Sequence, residues 1–357
     1  MQPSSPEVDV VIAVHDPRRN ISRSVGSALA SASVSRVIVV CHNTPVDGIA
    51  AGLGPFAAER RVRLESFDDG IRSPAGPFNR GLELAEARFV SIMGSDDELV
   101  AGAVDAWAAV ARKHAAAVVI PVVRYAEDGR RMPTPPTRPG RTARLDGVRD
   151  RLAYRTAPLG LIARERFGGL RFTPGLASGE DLMFSTRLWF SGARITRVGR
   201  GAEYLVHDDA ERVTFTRRPV AEDLAAVTHL VADDWVGALG ERSRNALAVK
   251  LWRLPLFGAV HSRAGAWLGG DRLALAGIAD AVERFAPEAL ELLSRADRAL
   301  VGGILDPRVP DAEVDALSRA RRRFATPPAL VPARMSRFAA REAPLRFAAA
   351  TWFAGRG

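Results

Sequence analysis

The chain has a single cysteine among its 357 residues, Cys41 in the apolar run VIVVCH, so no intrachain disulfide can form and a buried, inert thiol is expected. It has no run of about 18 apolar residues able to span a bilayer, and no basic and apolar leader at its amino terminus, so a cytoplasmic protein is expected. Glycine is missing from the turn HDPRRN after the first apolar run, which excludes the usual dinucleotide-binding fingerprint. Lysine is scarce, two against 48 arginines, and this ratio is read as genomic base composition. Net charge is scarce as well until the last residues: of the formal +9, a net +8 comes from residues 319–357, where nine arginines face Glu342 alone. A nearly neutral body of 318 residues gives no basis for nucleic-acid binding.

What is present is a 47% hydrophobic chain, ample for a core. VDVVIAV (Val8 to Val14) is a continuous apolar run of strand length, as in a strand covered on both faces. Ile21, Val25, Ala28, Leu29 and Ala32 follow at helical spacing. Strands are predicted over Arg36 to His42, Arg61 to Phe67 and RFVSIM, with a helix over Phe78 to Ala87. A helix from about Val100 to His114 then precedes one further strand, AAVVIPVVRYA. Strand and helix in alternation predict an α/β fold with a mainly parallel sheet and helices on both faces, binding its ligand beyond the carboxyl ends of the strands. RRMPTPPTRPG (Arg130 to Gly140) reads as an irregular excursion. Beyond a boundary near Arg217 to Pro219 the pattern is helical and rich in alanine, broken at Pro255, Pro287 and Pro307. The expected domains are therefore 1–217 and a helical region 218–357 that ends in a basic, aromatic tail over 319–357.

Three clusters carry chemistry. GSDDEL places Asp96, Asp97 and Glu98 at a strand end, where aspartates either hold a hard divalent ion or cap and favour the next helix. SGEDLMFSTRL places Glu180 and Asp181 at a helix start, again as caps or as a general base, a role worth about 10²–10⁴-fold in rate. YLVHDD places His207 after a short strand, as a surface histidine or a third metal ligand.

In order and spacing these blocks resemble the family 2 glycosyltransferases of GT-A fold, over roughly Val8 to Phe215. VDVVIAVHDP is similar to the family's opening strand and turn, FNRGLELAEARFVSIMGSDDELV to its helix and metal motif, and PLGLIARERF to the strand before its acceptor loop. GEDLMFSTRLWFSGARI is similar to its catalytic block, including Arg187. The resemblance implies a Rossmann-like GT-A domain that moves a sugar, with inversion, from a nucleotide diphosphate donor to a hydroxyl of a glycan or lipid-linked acceptor. It implies Mn²⁺ or Mg²⁺ on Asp96, Asp97 and His207, with Asp181 as the base and Glu180 orienting it or the acceptor. It also implies donor contacts from Asp16, His42, Asn43, Asn79, Arg80 and Asp96.

The chain departs from the family's pattern at three places. Gly94 stands where the first metal-motif aspartate is usual. CHNT (Cys41 to Thr44) stands where Asp-Asp-Gly-Ser is usual, so His42 or Asn43 would read the base. Phe78 stands where an arginine is usual, with Arg72 or Arg80 as substitutes. These departures keep two other readings open: a silent GT-A-like binding protein, and a nucleotidyltransferase. In the tail, PLRFAAATWFAG puts Leu345, Ala348, Ala349 and Trp352 on one helix face, for docking onto the catalytic domain or for an anionic membrane surface at the inner face of the cell membrane.

Overall fold

The computed structural model describes residues 7–208 and 218–356. VDVVIAV forms β1 (Val8–Val14), whose Val10, Val11 and Ile12 are fully buried because helices cover both faces. β2 (Val34–His42) and β4 (Phe89–Gly94) flank it in parallel, and β3 (Val62–Phe67) extends the sheet beyond β2. On the other side lie β8 (Leu161–Ala163), β6 (Val118–Ile120) and β9 (Ile195–Arg197), giving the order β3-β2-β1-β4-β8-β6-β9. Only β8 runs antiparallel. It fits between β4 and β6 because Gly160 adopts φ +109°, and a Cβ there would lie 2.0 Å from the Val119 carbonyl oxygen. The expected mainly parallel α/β sheet is thus present, and the carboxyl ends of its parallel strands share one edge.

Residues alternate between the two faces as the pleat requires. Val10 and Ile12 pack under α1 (Ile21–Leu29), α2 (Val46–Leu53) and α4 (Ala103–His114), whereas Val11 packs under α3 (Ala75–Leu84) and α6 (Asp181–Trp189). The short α5 (Arg164–Phe167) follows β8 directly.

The structure corrects the sequence reading at several points. Helix α1 stops at Leu29, leaving Ala32 exposed beyond it. Helix α2 was not expected, since its segment carries Pro45, Gly48, Gly52 and Gly54, yet Ile49 and Leu53 one turn apart are both fully buried. AAVVIPVVRYA is not one strand. Pro121 has no N–H to give the ladder, so β6 ends before it and β7 (Val123–Tyr125) joins a second, small sheet. In that sheet β10 (Tyr204–Val206) lies between β7 and β5 (Glu98–Leu99).

From Val220 onward the described chain is helical: α7 (Val220–Asp223), α8 (Ala225–Ala232), α9 (Asp234–Gly237), α10 (Glu241–Leu251), α11 (Phe257–Arg263), α12 (Asp271–Phe285), α13 (Arg295–Leu305), α14 (Asp311–Arg321), α15 (Pro327–Leu330) and α16 (Pro344–Arg356). Pro255 does not end a helix as expected, because Trp252–Leu256 wind as a π-turn that joins α10 to α11 and absorbs the missing N–H. The core of this region takes in Leu182 of α6 together with Ala153 and Leu176, so the helices pack directly behind the start of α6. Arg187 reaches Asp233 Oδ2 at 2.9 Å across the same contact.

The tail is docked at its root. Glu342, 3% exposed, meets Arg151 and Arg253 at 3.2 Å, and Tyr154 OH donates to it at 3.2 Å. Phe347 packs on the Tyr154 ring with centroids 4.7 Å apart. The packed face of α16 therefore carries Phe347, whereas the predicted face residues Leu345 and Trp352 are exposed.

Candidate active site

At the β3–β2 side of the strand-end edge, β2 finishes on His42, 5% exposed, and Asn43 turns the chain with φ +50°. The loop after β3 folds back onto them. His42 Nε2 lies 2.8 Å from Asp69 Oδ1 and 3.0 Å from Asn43 Nδ2, while Asn43 Oδ1 accepts from the Asp69 and Gly70 amides at 3.1 and 3.0 Å. Burial pushes the Asp69 carboxyl up, but the bonds from His42, the Ile71 amide and Asn43 outweigh it and hold the group below the usual range. A carboxylate, an imidazole and an amide are thus gathered where the β2 turn alone was expected to act. Asp16, after β1, is engaged by its neighbour Arg18 at 2.6 Å, and bonds from that residue hold it down at about 2.

In the middle of the edge, the acids after β4 do not cap the helix that follows. Helix α4 begins only at Ala103, with Gly102 at its cap, and Asp96 and Asp97 sit in a tight turn before β5. Asp96 Oδ2 accepts from Arg19 Nη1 at 2.6 Å, and its backbone carbonyl accepts from Arg23. Asp97 points the other way. Its carboxylate takes a 2.6 Å bond from Tyr204 OH, which in turn accepts from the Gly94 amide at 2.9 Å. Gly94 now has a physical reason, since a Cβ at that position would lie 2.4 Å from Asp97 Oδ2. The Asp97 carboxylate occupies the space that a side chain at 94 would fill. Burial, less the effect of the Tyr204 bond, pushes Asp97 up to about 6.

The expected metal set does not converge. His207 Nε2 pairs with Glu98 Oε2 at 3.1 Å, Asp96 is offset by Arg19, and among the described residues no three His, Cys, Asp or Glu side chains are grouped to hold an ion. A divalent ion would have to displace the Arg19 guanidinium from Asp96 first.

Glu180 and Asp181 stand at the amino end of α6, on the wall of a cleft of about 390 Å³ that also includes Gly94, Asp97 and Tyr204. Glu180 holds the capping position, but its side chain caps nothing. Among the described residues neither carboxylate is bonded by another side chain or amide, and each is stabilised by its own backbone. Burial and then the Asp181 charge push Glu180 up to about 7. Burial raises Asp181 as well, against the pull of Lys250. Lys250 comes from α10 in the helical region, is 2% exposed, and is pushed down to about 8 by its own burial.

The cleft thus gathers Asp97, Glu180 and Asp181, with the Asp69 cluster further along the same edge. Asn79 lies elsewhere: its amide donates to the Phe172 carbonyl at 2.9 Å and accepts from the Phe172 amide at 2.8 Å, a clasp on the loop leading to Glu180. Arg80 turns to Glu65 at 2.5 Å. Phe78, in the position where an arginine was awaited, lines the cleft. Sequence reading passed over Asp69, Tyr204 and Lys250. Asp69 stood in FDDG, a pair of acids at a strand end like the pair in GSDDEL, and Lys250 was a lone lysine in the apolar stretch ALAVKLW.

No family model matches the chain. Among solved structures it is similar to residues 1–349 of S. aureus TarS in complex with UDP-GlcNAc, with a TM-score of 0.72 and 17% identity over 88% of this chain and 91% of that one. The same fragment in complex with UDP gives a TM-score of 0.67 at 18% identity, over the same shares. At this identity the likeness speaks for the fold. In sequence, the chain is 34% identical over 92 residues to the succinoglycan biosynthesis protein ExoO of Rhizobium meliloti (strain 1021). That match spans 26% of this chain and 26% of the relative, about a quarter of its length.

Proposed function

We propose that the protein is an inverting glycosyltransferase that moves a sugar from a nucleotide diphosphate donor to a hydroxyl of a cell-envelope or secreted glycan, with Asp181 as general base. The observation that carries the reading is the Glu180–Asp181 pair: two half-buried carboxylates, bonded by no other described residue, on the wall of a cleft at the carboxyl edge of a mainly parallel sheet. Buried acids without partners cost stability and are kept where chemistry needs them. The TarS complexes support a nucleotide sugar as donor and the name of the ExoO relative supports a glycan acceptor, both in line with the family 2 resemblance.

In this scheme the nucleoside lies toward His42, Asn43 and Asp69, whose carboxylate and amide groups suit the edge of a base. The diphosphate then reaches the turn at Asp96, where Arg19 and Arg23 supply positive charge. Asp181 removes the proton from the acceptor hydroxyl as its oxygen attacks the anomeric carbon. The carbon–oxygen bond to the diphosphate breaks, and the nucleoside diphosphate leaves with the electron pair. Lys250 favours the ionised form of Asp181, and Glu180 with its value near neutrality holds or releases the neighbouring proton. Because Asp96, Asp97 and His207 do not converge, no step here is routed through a metal ion.

Thermal unfolding against UDP, GDP, CDP and dTDP tests the donor site. A nucleotide at about 100 times its dissociation constant raises stability by ~2.7 kcal/mol, so one of the four is expected to raise the midpoint. Stabilisation by none of them would overturn the transferase reading and favour a silent binding module.

A further inference from the structure

At the far end of the cleft three guanidinium groups gather with no ion-pair partner among the described residues. Arg155, just after the turn Leu152–Tyr154, is 3% exposed. Its Nη2 donates to the Pro121 carbonyl at 3.2 Å, and its buried Nε has no partner. Arg197 closes β9, and its Nε is likewise buried and unpartnered. Arg131 arrives from the proline-rich excursion. The three side chains line one cavity of about 10 Å³, room for roughly one water. Among the described residues no carboxylate pairs with any of them. Asp150 attracts Arg197 and Glu203 attracts Arg131 without contact, and each is itself engaged elsewhere, Asp150 by Arg138 at 2.6 Å and Glu203 by Arg124 at 3.6 Å.

Such a cluster is costly, because buried charge is tolerated only when it is paired. Desolvation, with repulsion from Arg131, brings the Arg155 guanidinium down to about 10, and burial lowers Arg131 and Arg197 as well. The described residues supply no partner, and a route for one from solvent is visible. Val123, Met132, Thr134 and Arg155 line both the small cavity and the cleft that holds Asp181. The cavity itself is too small for a polyatomic anion, so contact is made on the cleft side of Arg155, with Arg131 and Arg197 behind it.

The sheet order indicates which substrate brings the anion. The His42–Asp69 cluster belongs to β2 and β3, the acid turn to β4, and the arginines to the ends of β6 and β9. Nucleoside end and arginine end thus lie on opposite sides of the acid turn.

We propose that Arg155, backed by Arg131 and Arg197, binds an oxyanion of the acceptor, a phosphate or carboxylate carried near the hydroxyl that is to be glycosylated. That the anion belongs to an acceptor rests on the transferase reading; that an anion binds rests on the arginines alone.

The test titrates inorganic phosphate, and separately acetate, onto the full chain by calorimetry, with and without a saturating nucleoside diphosphate. Binding is expected with the nucleotide in place, weakened at least tenfold in Arg155→Gln and in Arg197→Gln, with nucleotide affinity unchanged. The tighter of the two anions names the group on the acceptor. Should Arg155→Gln fail to fold, Arg197→Gln, which is only partly buried, carries the comparison. Competition between phosphate and nucleotide would overturn the proposal by giving the arginines to the donor's diphosphate. No binding, or equal affinity in both variants, would overturn it outright. If phosphate binds through the arginines but no nucleoside diphosphate binds at all, the transferase reading fails and takes the acceptor assignment with it, while the anion site stands.

Discussion

Replacing Glu180 by Gln should make the protein more stable and less active, and the two effects have one cause. The glutamate sits partly buried beside Asp181 with no bond from another described residue, and its carboxyl is pushed up to about 7 from the ordinary 4.5. Between those two values the folded chain binds more protons than the unfolded chain, so stability falls as pH rises through the window. Below about 4.5 the group is protonated in both states and contributes nothing. Above about 7 the full cost applies, roughly 3 kcal/mol at 1.36 kcal/mol per pH unit. Glutamine keeps the shape and carries no charge. Urea unfolding of wild type and Glu180→Gln at pH 5 and pH 8 reads the effect directly, and the difference between the two proteins cancels other acids such as Asp97. The variant is expected to gain up to about 3 kcal/mol on wild type at pH 8 and much less at pH 5. A variant equally stable or weaker at pH 8 would refute the claim that this carboxylate is buried and uncompensated.

Three further predictions concern the neighbouring groups. Gly94→Asp restores the residue the family pattern leads one to expect, but its Cβ meets Asp97 Oδ2 at 2.4 Å, so a loss of about 1–3 kcal/mol is expected in thermal or chemical unfolding. Arg19→Gln frees Asp96 from its 2.6 Å ion pair and should tighten Mn²⁺ binding measured by calorimetry, whereas unchanged affinity would show that the pair does not guard the site. Phe338, Leu345, Trp352 and Phe353 are exposed among the arginines of the tail, so the full chain should co-sediment with anionic vesicles more than a chain ending at Arg319; equal partition would end the membrane reading.

How much of this was legible in the sequence depends on the distance over which each feature is determined. β1 was legible to the residue, since the five apolar residues in a row from Val10 to Val14, with Val8 before them, fit a strand covered on both faces. The acids of β4 and α6 were legible as positions at strand and helix ends, because those ends follow from local pattern. Their roles were not. Whether Asp96 faces a ligand depends on Arg19, 77 residues earlier, and whether Asp97 folds over Gly94 depends on Tyr204, 107 residues later. The antiparallel direction of β8 was hidden for the same reason: PLGLIARERF was expected to hold a strand, but the direction of three residues is set by their neighbours in the sheet. Helix α2 was masked by its glycines, and the expected single strand after α4 ignored what Pro121 does to a ladder. The arginine cluster was out of reach, as Arg131, Arg155 and Arg197 come from three segments with no common pattern.

The measurement closest to the centre of the account is nucleoside diphosphate release from nucleotide sugars by wild type and Asp181→Asn, alongside donor affinity for both. The account predicts that asparagine keeps donor affinity within about twofold and lowers turnover by about 10²-fold or more, as loss of a general base does. Equal turnover in the two proteins would contradict it, since the buried carboxylate would then have no part in the transfer.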